Sequence, residues 1–85
     1  MLPRLYSLIE SRKRELPEGS YTTYLFTEGI EKIKKKTGEE AIEVLLAASH
    51  GDRLHEAADL IYHLLVLLVE TGVGFDELLS ELQSR

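Results

Sequence analysis

Residues 60–69 read Leu-Ile-Tyr-His-Leu-Leu-Val-Leu-Leu-Val. As a helix this segment is apolar nearly all round, through Leu60, Ile61, Leu64, Leu65, Val66, Leu67, Leu68 and Val69. Such a helix must be buried on several sides. Its most apolar run, Leu64 to Val69, is far shorter than the ~20 residues that cross a bilayer. A chain of 85 residues has too little other structure to cover it. A homo-oligomer, most simply a two-fold dimer, is therefore expected. There is no cysteine, so neither disulfides nor thiolate metal sites can supply the missing stability. Helix packing, a metal ion or oligomerisation remain.

The rest of the chain carries the same helical spacing, and no stretch alternates with period two. Pro3 suits a first helical turn, and Leu5, Leu8 and Ile9, with Leu16 beyond them, mark a stripe on a helix from about Pro3 to Glu15. Leu16-Pro17-Glu18-Gly19-Ser20 reads as a loop, with Ser20 as the N-cap of a short helix over Tyr21–Glu28. Gly29 marks a bend. Ile30, Ile33, Thr37, Ala41, Val44, Leu45 and Ala48 form the stripe of a helix reaching Ser49. His50-Gly51 is expected to end it, with Gly51 left-handed and Asp52 capping the next helix. That helix runs to Thr71 and stops at Gly72. A last amphipathic helix spans Phe75 to about Ser84 through Phe75, Leu78, Leu79 and Leu82. The expected fold is all-α: one domain over residues 1–85, a bundle of four to five helices completed by homodimerisation.

Two of these helices carry the acids. Side chains at i, i+3 and i+4 share a helix face. Glu39, Glu40 and Glu43 cluster on one helix; Glu56 and Asp59 cluster on the next, with His63 one turn beyond. Up to five carboxylates meet if the pair is antiparallel. None of Glu39, Glu40 and Glu43 has Lys or Arg at i+4, as a solvated structural face often would. A divalent cation is the natural counter-charge. Mg²⁺ takes oxygen ligands, commonly one or two carboxylates with phosphates and waters. Carboxylate-held metal suits water activation and in-line displacement at phosphorus. The bland alternative is a solvated acidic face.

Other chemistries fit less well. A ferritin-like di-iron site wants Glu-x-x-His, yet Ala47, Asp52 and Leu60 stand three residues before His50, His55 and His63. There is no Gly-x-Ser-x-Gly and no phosphate-binding loop ending in Lys-Ser/Thr. The net charge of −5 argues against non-specific nucleic-acid binding. Pro3, Arg4, Tyr6 and Ser7 break up Leu2–Ile9, so no secretory signal is expected, and the lack of cysteine fits a reducing cytoplasm. Lys35 and Lys36 lie about one turn before the acids, within reach of phosphates, although charge runs are commonly just solvated. Gly38 reads equally as a tolerated helix glycine and as a close approach by a ligand or backbone. His63 reads as a hydrogen-bonded helix histidine or as a group supporting the acids. Tyr62 reads as packing, and His50 and His55 as surface.

Glu39-Glu40-x-x-Glu43, then twelve residues, then Glu56-x-x-Asp59 resembles the metal signature of the all-α NTP pyrophosphatases. Ser20-Tyr21-Thr22, Gly29, Lys35-Lys36-Thr37-Gly38-Glu39-Glu40-Ala41 and Ala57-Ala58-Asp59-Leu60-Ile61-Tyr62-His63-Leu64-Leu65 narrow the resemblance to the phosphoribosyl-ATP pyrophosphohydrolases of histidine biosynthesis. The resemblance implies Mg²⁺-dependent hydrolysis of phosphoribosyl-ATP to phosphoribosyl-AMP and pyrophosphate by a homodimer; with the charge, hydropathy and cysteine usage above, a cytoplasmic enzyme with no nucleic-acid or membrane partner is expected. It implies Glu40, Glu43, Glu56 and Asp59 as principal metal ligands and catalytic acids, with Glu39 as a nearby or additional one. It moves Lys36, and after it Lys35, towards a phosphate role; Gly38, Ser20, Tyr21, Thr22 and His63 are expected beside the substrate, while Ser20, Tyr21 and Thr22 read locally as a cap and packing group. One departure is visible: Tyr24-Leu25-Phe26-Thr27-Glu28 holds no basic residue, where relatives often carry one. The alternatives are a broader nucleotide house-cleaning pyrophosphatase and a non-catalytic helical dimerisation module.

Overall fold

A computed structural model describes residues 1–85. It is all-α, with no strand: α1 (Leu2–Glu15), α2 (Tyr21–Glu28), α3 (Ile30–Leu46), α4 (His50–Thr71) and α5 (Phe75–Gln83). Most boundaries have a local cause. Pro3 sits in the first turn of α1, and Arg12, Lys13 and Arg14 lie in its last turn, where cations oppose the helix dipole. The Ser20 hydroxyl accepts the Thr23 N–H at 3.3 Å and caps α2. Gly29 then takes φ 98°, ψ 179°, a conformation open essentially to glycine alone. α4 stops at left-handed Gly72, and the Val73 N–H returns to the Leu68 carbonyl at 2.9 Å. The Glu77 carboxylate accepts the Gly74 N–H at 2.8 Å and closes the start of α5, which is turned from α4 by 113°.

The α3–α4 connection differs from the sequence expectation. α3 ends at Leu46, not Ser49, and the turn is Ala47-Ala48-Ser49. Ser49 is the N-cap of α4, accepting the Asp52 N–H at 3.1 Å. Gly51 is therefore not left-handed but lies in the first turn of α4, and Asp52 supplies its charge to the helix N-terminus rather than capping it. Two cap signals stood three residues apart, and the earlier hydroxyl took the role. Arg53 secures the turn by donating to the Ala47 carbonyl at 2.8 Å.

The core gathers Tyr6 and Ile9 of α1, Leu25 of α2, Ile33 of α3, Leu65, Val66 and Val69 of α4 and Phe75 of α5. Tyr6 was absent from the expected α1 stripe. Its ring packs on Phe75 at 5.8 Å, and its hydroxyl donates to the Val73 carbonyl at 2.7 Å. Leu8, expected inside, is exposed. The α3 stripe is only partly used. Ile33 is fully buried, whereas Leu45 is 81 % exposed. Ile42, Leu46, Leu54 and Ile61 are also exposed, because within one chain no element lies over the outer side of this hairpin. No single helix is long and apolar enough to cross a membrane.

Ile33 has no solvent exposure, so Ile33→Ala removes contacts that cannot re-form. It should cost about 2–5 kcal/mol in a denaturant titration, with the slope unchanged.

Candidate metal centre

α3 and α4 bring three carboxylates together. Glu40 of α3 and Glu56 and Asp59 of α4 each offer an oxygen, and these oxygens lie within 4.8 Å of one another. All three residues are half-buried. Glu56 and Asp59 meet Glu40 because a spacing of three returns to the same helix face. No lysine or arginine forms an ion pair with Glu40 or Glu56. Charges this close, partly withdrawn from water, repel.

The other sequence-predicted residues surround this set. Glu39 stands outside it on the exposed side of α3, 3.6 Å from the Lys36 ammonium. Glu43 is also exposed and lines a shallow groove with Leu46, Ala48, Asp52 and Glu56. Lys35 is exposed, and Lys36 is half-buried. Gly38 is exposed, and a Cβ added there would meet nothing within 4 Å. No backbone of this chain approaches it, so the close-approach reading holds only for something outside the chain.

Behind the acids lies a hydrogen-bonded layer joining α2 to α4. His63 is buried. Its Nδ1 lies 2.8 Å from the Asp59 carbonyl, which can only accept, so Nδ1 carries the proton. In the neutral ring Nε2 then accepts, and the Tyr21 hydroxyl donates to it at 3.0 Å. Burial first, opposed by Lys36 and aided by Glu40, Tyr24 and Asp59, raises the Tyr21 hydroxyl above its ordinary pKa, which keeps the donor proton in place. Thr22 is buried, and its hydroxyl meets that of Tyr62. The Thr37 hydroxyl reaches the Ile33 and His63 carbonyls at 2.8 and 3.4 Å. His63 thus holds the Asp59 backbone rather than its carboxylate.

The carboxylate has a different partner. His55 Nε2 lies 3.4 Å from Asp59 Oδ2. His55 is exposed, as expected, but its link to the acids was missed; the i, i+4 spacing was the available signal.

The donor set fits a hard divalent cation: all oxygen, from two rigid helices, with no competing protein cation on two of its three members. Two ligands of one octahedral Mg²⁺ stand about 3–4 Å apart, which oxygens all within 4.8 Å of one another allow.

Comparison with known proteins agrees with this geometry. The phosphoribosyl-ATP pyrophosphohydrolase family profile matches residues 2–85. This chain belongs to that family. It is 54 % identical to the phosphoribosyl-ATP pyrophosphatase of Lactiplantibacillus plantarum, over 99 % of this chain and 82 % of that protein. It is 52 % identical to the phosphoribosyl-ATP pyrophosphatase of Streptococcus sanguinis, over 100 % of this chain and 85 % of that one. It is also 51 % identical, along its whole length, to 42 % of the histidine biosynthesis bifunctional protein HisIE of Bacillus subtilis. Family membership gives the acid cluster its context. The three converging carboxylates stand on the two helices that carry the paired acids.

Gly38 is a glycine inside a helix that the rest of the chain does not require. Gly38→Ala should therefore stabilise the nucleotide-free protein by about 0.5–1 kcal/mol, seen as a higher denaturation midpoint.

Proposed function

We infer that this chain hydrolyses phosphoribosyl-ATP to phosphoribosyl-AMP and pyrophosphate, a step of histidine biosynthesis, at the Glu40–Glu56–Asp59 cluster with Mg²⁺. The convergence of three carboxylates without a lysine or arginine among them in a member of this family carries the reading. The products require the anhydride between the α- and β-phosphates to open, with water supplying the oxygen and protons. When bound, Mg²⁺ supplies Lewis acidity at phosphoryl oxygen and offsets carboxylate charge.

The chain's own residues do the rest. Glu40, Glu56 and Asp59 fix the ion between two helices. Glu43, beside Glu56 in the groove, is an additional acid for the same purpose, and Glu39 orients Lys36. Lys36, with Lys35 behind it, meets phosphate oxygens. His55 restrains the Asp59 carboxylate. The Tyr21–His63 pair and the Thr22–Tyr62 pair hold α2 against the metal-bearing helix, with Ser20 setting the start of α2. Gly38 leaves room for substrate beside Lys36.

The working form is a homodimer of one domain over residues 1–85, in the cytoplasm. The uncovered Ile42, Leu45, Leu46, Leu54 and Ile61 support the dimer, since apolar side chains in such number gain by leaving water.

Purified protein with phosphoribosyl-ATP and Mg²⁺ should release pyrophosphate, and ordinary NTPs assayed in parallel should be poor substrates. Equal rates on all would favour a house-cleaning enzyme, and no release by the folded protein would sink both. Asp59→Asn should lower kcat/KM by about a hundredfold or more. Mg²⁺ at 100 times its Kd should stabilise the protein by about 2.7 kcal/mol, and Glu40→Gln should abolish that shift in calorimetry. Leu45→Glu should move the dimer towards monomer in sedimentation equilibrium.

A further inference from the structure

α2 presents two tyrosines one turn apart. The rings of Tyr21 and Tyr24 stack with centroids 5.9 Å apart and planes 25° from parallel. Their exposures are 46 % and 44 %, unusual for side chains that could have been buried. The other aromatic residues have packing roles: Tyr6 and Phe75 are in the core, Phe26 packs against it, and Tyr62 bonds Thr22. Tyr21 and Tyr24 instead form an open aromatic step on the surface.

That step is continuous with the acid cluster. The Tyr21 hydroxyl is fastened to His63, four residues beyond Asp59, so this ring is fixed in place and braces Tyr24. Cations run beside the tyrosines. The Lys36 ammonium acts on the Tyr21 hydroxyl. The Lys32 ammonium, one turn earlier on α3, lies 5.9 Å from the Tyr24 ring centroid. It also engages the Tyr24 hydroxyl, and this contact raises the Lys32 pKa, so the two side chains hold each other in place. A flat heterocycle can stack on this ring with the Lys32 cation at its side.

A nucleotide has the matching polarity: anionic phosphates at one end, a flat heterocycle at the other. Acids that hold a cation suit the first end, and stacked tyrosines flanked by lysine suit the second. We propose that Tyr24, braced by Tyr21 and flanked by Lys32, is the stacking surface for the purine ring of the nucleotide whose phosphates meet the Glu40–Glu56–Asp59 cluster. The inference rests on the nucleotide-hydrolase reading above and deepens it, adding Tyr24 and Lys32 to the substrate side of the site.

Base stacking on an aromatic side chain is lost on truncation to alanine, so Tyr24→Ala should raise KM for phosphoribosyl-ATP by about tenfold. Because the ring contributes equally to ground and transition states, kcat should change little. Tyr24→Phe keeps the aromatic face and should hold KM within about twofold of the parent. Each variant is checked for helix content by circular dichroism and for association by sedimentation. An active parent whose Tyr24→Ala variant keeps its KM overturns the stacking surface alone. So does a rise in KM that appears only with loss of the oligomer, which assigns Tyr24 to a subunit contact. A folded parent that releases no pyrophosphate overturns the underlying reading instead.

Discussion

The antiparallel packing of α3 on α4 is the constraint on which the molecule depends. Ile33 from one helix and Leu65 and Val66 from the other lie in the same buried cluster. At the other end of the hairpin the same packing sets Glu40 against Glu56 and Asp59. Apolar burial and carboxylate repulsion therefore act along one pair of helices. The first holds the pair together with many small contacts. The second resists it at one end, and a bound cation relieves that resistance.

The layer between α2 and α4 shows how the fold supports the acids without touching their oxygens. A buried imidazole is tolerated because both nitrogens have partners, one a backbone carbonyl and one a phenol. The same bonds fix the tautomer and hold Tyr21 at the surface. A short helix of eight residues would be marginal alone. Here it is anchored by Leu25 in the core and by two hydroxyl contacts to α4. It is thereby rigid enough to carry part of a binding surface.

Much of this architecture could be read from local chemistry. The Ser20 cap, the bend at Gly29 and the stop at Gly72 all follow from side chains within a few residues of the boundary. The α3–α4 turn failed because Ser49 and Asp52 offer rival caps and only the packed hairpin selects between them. Tyr6 went unnoticed because its role depends on Val73 and Phe75, far along the chain. Leu45 and Ala48 fit the helical stripe and yet stand exposed, because periodicity shows which face is apolar but not what covers it.

For the site, helical spacing alone put Glu56 and Asp59 on one face and made a cluster with the Glu39–Glu43 segment reachable. It could not distinguish Glu39, Glu40 and Glu43, since adjacent residues point about 100° apart and the direction of the partner helix was unknown. Only the tertiary structure turned Glu40 towards α4 and placed Glu43 on the groove. It also brought the Tyr21 hydroxyl to His63, whereas His55 meets Asp59 within one turn of α4. The sequence by itself determined the helices, the acid pairs and an excess of apolar surface, because these depend on neighbours within one or two turns. The tertiary structure decided which acids converge and which tyrosines stay in water, because those depend on the relative rotation of helices that only their packed faces set.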